Sequence, residues 1–134
     1  MTPFGRDLLL DTHAWLWLIV SPGHLSAVAA RAIAAARTIT IASISPYEIA
    51  LKHSTGKLHL DLEIDAWMAM AMSYPGIRIA ELTPAIAIRA AALRSTVGRD
   101  PADGIIAATA LETGVQLVTK DGRLRSALPG TALW

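Results

Sequence analysis

The chain has 134 residues and no cysteine. That absence excludes a disulfide framework, a thiolate zinc site, an iron–sulfur cluster and a cysteine nucleophile together. It is compatible with a reducing cytoplasm, the expected location. Aromatic residues are scarce at 5%, and four of them are tryptophan. Long apolar runs are missing as well. The longest, residues 14–20 and 66–72, have seven residues each, against the roughly 20 that a spanning helix needs, so no membrane segment is expected. The leading residues have the outline of a signal peptide, with Arg6, then Leu8-Leu9-Leu10, then small residues at 27–30. Asp7, Asp11 and His13 stand where its apolar stretch should be uncharged, so secretion is not expected. The hydrolase elbow G-x-S-x-G, the P-loop and G-x-G-x-x-G are also lacking.

What is present is apolar: 53% hydrophobic residues against 17% charged, with a mean hydropathy of +0.43. Such a chain can bury a core, which excludes disorder. The length suits a single domain over residues 1–134. The apolar excess fits a sheet covered on both faces. Strand-like runs at 7–11, 38–42, 77–80, 115–119 and 131–133 alternate with helical stretches, the pattern of an α/β fold with a parallel sheet of four to five strands.

Between the strands, Thr12 can cap a helix to about Ile19, and Ser26 opens an alanine-rich helix to about Arg37. A helix beginning at Ser45 is closed by Lys52, His53 and Gly56; another runs from Asp61 to about Tyr74. Two more run from Thr83 to about Val97 and from Asp100 to about Thr113. Ser45-Pro46, Thr83-Pro84 and Asp100-Pro101 each pair a cap residue with proline at the first helical position, where its missing N–H is no loss.

Of the eleven acids, four fall at unusual places. Asp11 ends the first strand, and Asp121 lies just past the strand at 115–119. Glu48 and Asp103 lie in the first turns of their helices. The carboxyl ends of the strands form one edge of an open α/β sheet, and sites are built there. Each acid alone has a structural explanation: Ser45–Glu48 as a capping box, Asp103 three residues after Asp100, Asp121-Gly122 as a turn, Asp11 as a cap. Together they would repel one another unless a cation stood among them. A hard ion such as Mg²⁺ or Mn²⁺ suits oxygen ligands. The four histidines, His13, His24, His53 and His59, have no zinc-ligand spacing.

These residues carry a resemblance. Leu8-Leu9-Leu10-Asp11-Thr12-His13-Ala14-x-Leu16-Trp17 comes first, then Ser43-Ile44-Ser45-x-x-Glu48-Ile49-Ala50-Leu51-Lys52-His53 and Gly56-Lys57-Leu58. Arg99-Asp100-Pro101-x-Asp103-x-Ile105-Ile106-Ala107-Ala108-Thr109-Ala110-Leu111 and Leu117-Val118-Thr119-x-Asp121 follow in order. The set resembles the PIN-domain ribonucleases, specifically the toxin half of VapBC-type toxin–antitoxin pairs. The resemblance implies a three-layer α/β/α sandwich, a Mg²⁺- or Mn²⁺-dependent endoribonuclease and a cognate VapB-type antitoxin that blocks the site. It places the catalytic and metal-holding acids at Asp11, Glu48, Asp103 and Asp121, with Asp11 and Asp103 as the most direct ligands. Thr119 would support them through its hydroxyl, and Asp100 would serve as a helix cap. One departure stands out: the family's D-x-x-D is usually followed by arginine, and here Gly104 follows it.

With the four acids set aside, seven acids face twelve Lys and Arg, a balance of +5. Lys52, Lys57, Arg99, Lys120, Arg123 and Arg125 are expected near the acidic edge, where they could meet RNA phosphates. Trp15, Trp17 and Trp67 are expected in core or dimer contacts rather than as base-stacking platforms, and Met68, Met70 and Met72 in packing. The apolar balance suggests a homodimer. Two other readings stay open: a catalytically inactive module that keeps the fold and binds an antitoxin, and a phosphotransfer receiver. The receiver would need an aspartate after a central strand, but Glu81-Leu82-Thr83 follows the strand at 77–80.

Overall fold

Leu8 and Leu10 pack on one side of the first strand and Leu9 on the other, all fully buried. A strand apolar on both sides needs cover on both faces. In the computed structural model, which describes residues 6–134, five strands form one sheet. They are β1 (Asp7–Leu10), β2 (Thr38–Ala42), β3 (Ile77–Ala80), β4 (Gln116–Val118) and β5 (Ala132–Leu133). Every pairing is parallel, and the order is β3-β2-β1-β4-β5. The expected α/β sandwich is therefore present.

On the Leu8 and Leu10 side lie α1 (Thr12–Val20), α2 (Ala27–Ala35), α3 (Ile44–Ser54) and α4 (Ile64–Met72), which supply Trp15, Ile33, Ile49 and Trp67 to the core. Trp15 and Trp67 meet edge to face with ring centroids 5.6 Å apart, so both belong to packing, as expected. Met68 and Met72 pack against the same core, while Met70 is exposed. After β3 come α5 (Pro84–Ala92), α6 (Arg94–Val97), α7 (Pro101–Thr113) and α8 (Gly122–Ala127). Val97, Ile106 and Leu124 from the last three cover Leu9 and Leu117 on the second face, and α5 packs against α7.

Several boundaries differ from the sequence reading. Asp11, not Thr12, caps α1. The second helix stops at Ala35, and the fourth begins at Ile64, not Asp61. The stretch 83–97 breaks at Leu93 into α5 and α6, and α6 ends at Gly98 with φ 102°. Asp121-Gly122 opens the short helix α8 instead of a simple turn. The caps at Thr83 and Asp100 stand where expected, each accepting a backbone N–H.

Chain order places the site. From β1 the sheet grows one way to β2 and β3, then the other way to β4 and β5. The direction reverses between β1 and β4, and in a parallel sheet such a reversal opens a crevice at the strands' carboxyl ends. Asp11 directly follows β1, and Thr119 directly follows β4. Among the described residues no helix is long and apolar enough to cross a membrane.

Candidate active site

Asp11 leaves β1 in an extended conformation and caps α1, its Oδ1 accepting the Ala14 N–H at 2.7 Å. Its Oδ2 accepts the Thr119 hydroxyl. Only 7% of the residue is exposed, and that burial pushes its carboxyl above the usual range. The Thr119 hydroxyl, the Ala14 amide and His13 oppose the rise, and Asp121 adds to it. Thr119 is fully buried and accepts the Asp121 N–H at 3.1 Å. Asp121 in turn caps α8, its Oδ1 accepting from the Arg123 and Leu124 amides at 2.8 and 3.0 Å. One hydroxyl thus ties the ends of the two central strands together.

Thr119→Val keeps the shape and removes that hydroxyl. Urea unfolding is expected to show a loss of about 1–3 kcal/mol, because a buried carboxylate oxygen and the Asp121 amide lose their partner.

Glu48 is held differently from the capping box expected of it. The cap is Ser43, two residues before the expected Ser45, with the helix starting at Ile44, and Ser43 makes no side-chain cap bond. Pro46 still falls among the first positions, where a helix leaves N–H groups free. Ser45 therefore lies inside the first turn, fully buried, with its Oγ 2.8 Å from Thr12 Oγ1. The Thr12 hydroxyl donates to Glu48 Oε1, so the start of α1 aims the acid of α3.

Asp103 lies in the first turn of α7, beyond the Asp100 cap, whose Oδ1 accepts the Ala102 N–H at 3.0 Å. Its carboxyl is pushed up to about 6, first by burial, then by the charges of Asp100, Asp121, Glu48 and Asp11. The other three acids therefore act on Asp103 as neighbours.

All four expected acids line one cleft of about 560 Å³, joined by Asp100, Thr12, His13, Trp17, Lys52, Ile106 and Lys120. Asp100 is a cap, as expected, and also a wall of the cleft. Of the six cations expected near this edge, Lys52 and Lys120 line the cleft. Arg123 instead packs where a Cβ on Gly98 would sit. Among the described residues, no three His, Asp or Glu side chains are drawn together closely enough to hold a metal ion as they stand. Thr12, His13 and Ile106 are not among the residues expected here, and Trp17 lines the cleft where a core or dimer contact was expected of it. Trp17 stands four residues after His13, a spacing that puts both on one side of α1, and this was the signal available in the sequence.

Gly104, where the resembled family usually has arginine, is buried. A Cβ there would come 3.2 Å from the Ala90 carbonyl oxygen of α5. The same two helices are joined by an ion pair between Arg89 Nε and Glu112 Oε2 at 2.6 Å. The glycine lets α5 lie close on α7.

A parallel α/β/α sandwich whose central crevice gathers carboxylates from two strand ends and two helix starts is a site of the kind that takes hard cations. The family model for the PIN domain matches residues 8–127, and the chain belongs to that family. It is 39% identical over 119 residues to Ribonuclease VapC22 of Mycobacterium tuberculosis, covering 89% of this chain and 90% of the relative. Among solved structures, VapBC2 from Rickettsia felis, bound to a DNA fragment from its promoter, matches with a TM-score of 0.70 at 17% identity, over 96% of this chain and 98% of that one. A toxin–antitoxin complex from Klebsiella pneumoniae matches with a TM-score of 0.66 at 23% identity, over 95% and 96%. These two likenesses are of fold.

Proposed function

We propose that the chain is one PIN domain over residues 1–134, a divalent-metal-dependent endoribonuclease and the toxin of a toxin–antitoxin pair. The observation that carries the reading is the meeting of Asp11, Glu48, Asp103 and Asp121 in one cleft, where Asp103 is lifted to about 6. The 39% identity to a ribonuclease over most of the chain supports it.

The donor set fits a hard divalent ion: it is all carboxylate oxygen, partly buried, and destabilised by its own charge. Asp11 and Asp103 would hold Mg²⁺ or Mn²⁺ most directly, with Glu48 and Asp121 completing the set or acting through water. Such an ion would neutralise charge on the phosphodiester and lower the pKa of water. The protein's own part is positional. Thr119 fixes the Asp11 carboxylate, Thr12 fixes Glu48, and Lys52 and Lys120 stand beside the acids to receive phosphates flanking the cleaved bond. An antitoxin that covers this cleft would silence it. A cytoplasmic homodimer is part of the same proposal, with exposed Tyr47, Leu51 and Ile88 as apolar surface to cover.

The inactive-module reading drew on Gly104. Packing against Ala90 accounts for that residue, and all four acids remain in the cleft. The test is cleavage of total cellular RNA by purified protein with Mg²⁺ or with EDTA. Discrete fragments that need the metal are expected. Folded protein that cuts nothing in Mg²⁺ or Mn²⁺ would overturn the enzyme.

A pH prediction follows from Asp103. Its carboxyl titrates near 6 when folded, against 3.8 when free. Between those values the folded state holds the extra proton, so this contribution to stability is present below about pH 4 and lost as pH rises through 6. Asp103 is only half-buried, and after solvent screening the effect is on the order of 1 kcal/mol. Thermal melts of metal-free protein should therefore drop across this window. Asp103→Asn should flatten the drop, and Mg²⁺ should reverse it. A wild-type melt insensitive to both pH and Mg²⁺ would contradict the argument.

A further inference from the structure

Of the four tryptophans, Trp17 alone lines the carboxylate cleft. Its half-buried indole is steadied on several sides. His24 stacks on it with centroids 5.7 Å apart and planes 20° from parallel, while His13 and Trp134 lean on it, each at 5.7 Å. Lys120, beside Asp121 in the chain, holds its ammonium 5.7 Å from the same ring centroid. The rest of the cleft is lined by five acids, Lys52, Lys120, Thr12 and His13, with Ile106 the one aliphatic side chain. That setting suits a charged ligand better than an apolar protein segment.

An unpaired nucleotide presents a flat base and an anionic phosphate a few bonds apart. The cleft offers a held indole, an ammonium and the proposed metal-binding acids side by side. We propose that Trp17 and Lys120 form a nucleotide clamp: the indole stacks the base next to the cleaved phosphodiester, and Lys120 leaves the ring to pair with a flanking phosphate. This inference rests on the ribonuclease reading and deepens it. A base can reach the ring only when it is out of a duplex, so the clamp selects single strands and loops. Every base has a π-face, so the clamp itself tolerates any of them.

The test uses full-length protein, Mg²⁺ and a labelled unpaired RNA oligomer. A series of the same oligomer carries one abasic nucleotide at each position around the cleaved bond. If wild-type protein cuts no oligomer, the ribonuclease reading fails before the clamp is tested. Given cleavage, Trp17→Leu is expected to raise KM about tenfold, with kcat within about twofold. Trp17→Phe should recover most of the affinity, and Lys120→Ala should weaken binding and flatten its salt dependence. One abasic position should weaken wild type by a factor similar to Trp17→Leu and weaken that variant no further. A packing defect would not produce that non-additivity. Unchanged KM in Trp17→Leu, or abasic losses that simply add to it, would overturn the clamp and leave the nuclease standing. Should the leucine variant not fold, the wild-type series decides: equal KM for the intact oligomer and every abasic one sinks the proposal.

Discussion

Replacing Asp11 by asparagine is expected to lower RNA cleavage at least about a hundredfold while the protein stays folded. The two halves of that result come from different atoms. Oδ1 caps α1 through the Ala14 amide at 2.7 Å, and asparagine caps as well as aspartate does. The helix start should therefore survive. What the substitution removes is the negative charge of a carboxyl only 7% exposed. Burial already disfavours that charge, and Asp121 adds repulsion. Its loss relieves the metal-free fold, but the amide Nδ2 that replaces Oδ2 cannot accept the Thr119 hydroxyl, so the two effects oppose and the variant should melt close to wild type without metal. The same loss takes from the cleft a proposed ligand to the cation. Parallel cleavage assays and melts check both halves. A variant that cuts within about threefold of wild type would show that Asp11 is a cap and nothing more.

Much of this arrangement is legible in the sequence because it is local. Leu8-Leu9-Leu10 announces a strand buried on both faces, and Thr83-Pro84 and Asp100-Pro101 announce helix starts, since each needs only neighbouring residues to satisfy it. The same logic misplaces Ser45-Pro46. Proline is tolerated anywhere in a helix's first turn, and the Ser45 hydroxyl is drawn to Thr12, 33 residues away in the chain. The single helix read over 83–97 breaks at Leu93, whose N–H bonds back onto both Arg89 and Ala90, and the short α6 that follows ends at Gly98. α8 has six residues, too few for helical periodicity to separate it from a turn. Within the site, the four acids are visible because they fall at strand ends and helix starts. Their arrangement is not visible, because Thr12 on Glu48 and Thr119 on Asp11 join segments 36 and 108 residues apart. Trp17 shows how thin the remaining signal is. Its sequence neighbourhood is as apolar as that of Trp15, and only the packing of α1 sends one indole to the core and the other to the cleft.

Gly104→Arg, which would restore the residue the family usually carries there, is expected to destabilise the protein by roughly 3 kcal/mol or more. The contact that decides this is backbone, not a flexible side-chain tip: the new Cβ would lie 3.2 Å from the Ala90 carbonyl oxygen. α5 would have to move away, and it is tied to α7 by the Arg89–Glu112 ion pair at 2.6 Å. The rest of the side chain would start from a buried backbone position, and a guanidinium forced into packed surroundings adds a desolvation cost to the steric one. Gly104→Ala separates size from charge. Alanine gains about 1 kcal/mol of helix propensity over glycine, and the tight Cβ contact offsets it, so that variant should stay within about 1 kcal/mol of wild type. Urea unfolding of the two variants measures the difference directly. Cleavage by Gly104→Arg should fall only in step with its folded fraction, because the four acids of the cleft are untouched. If the arginine variant unfolds at the wild-type midpoint, α5 does not lie this close to α7 in solution, and the glycine is not explained by packing.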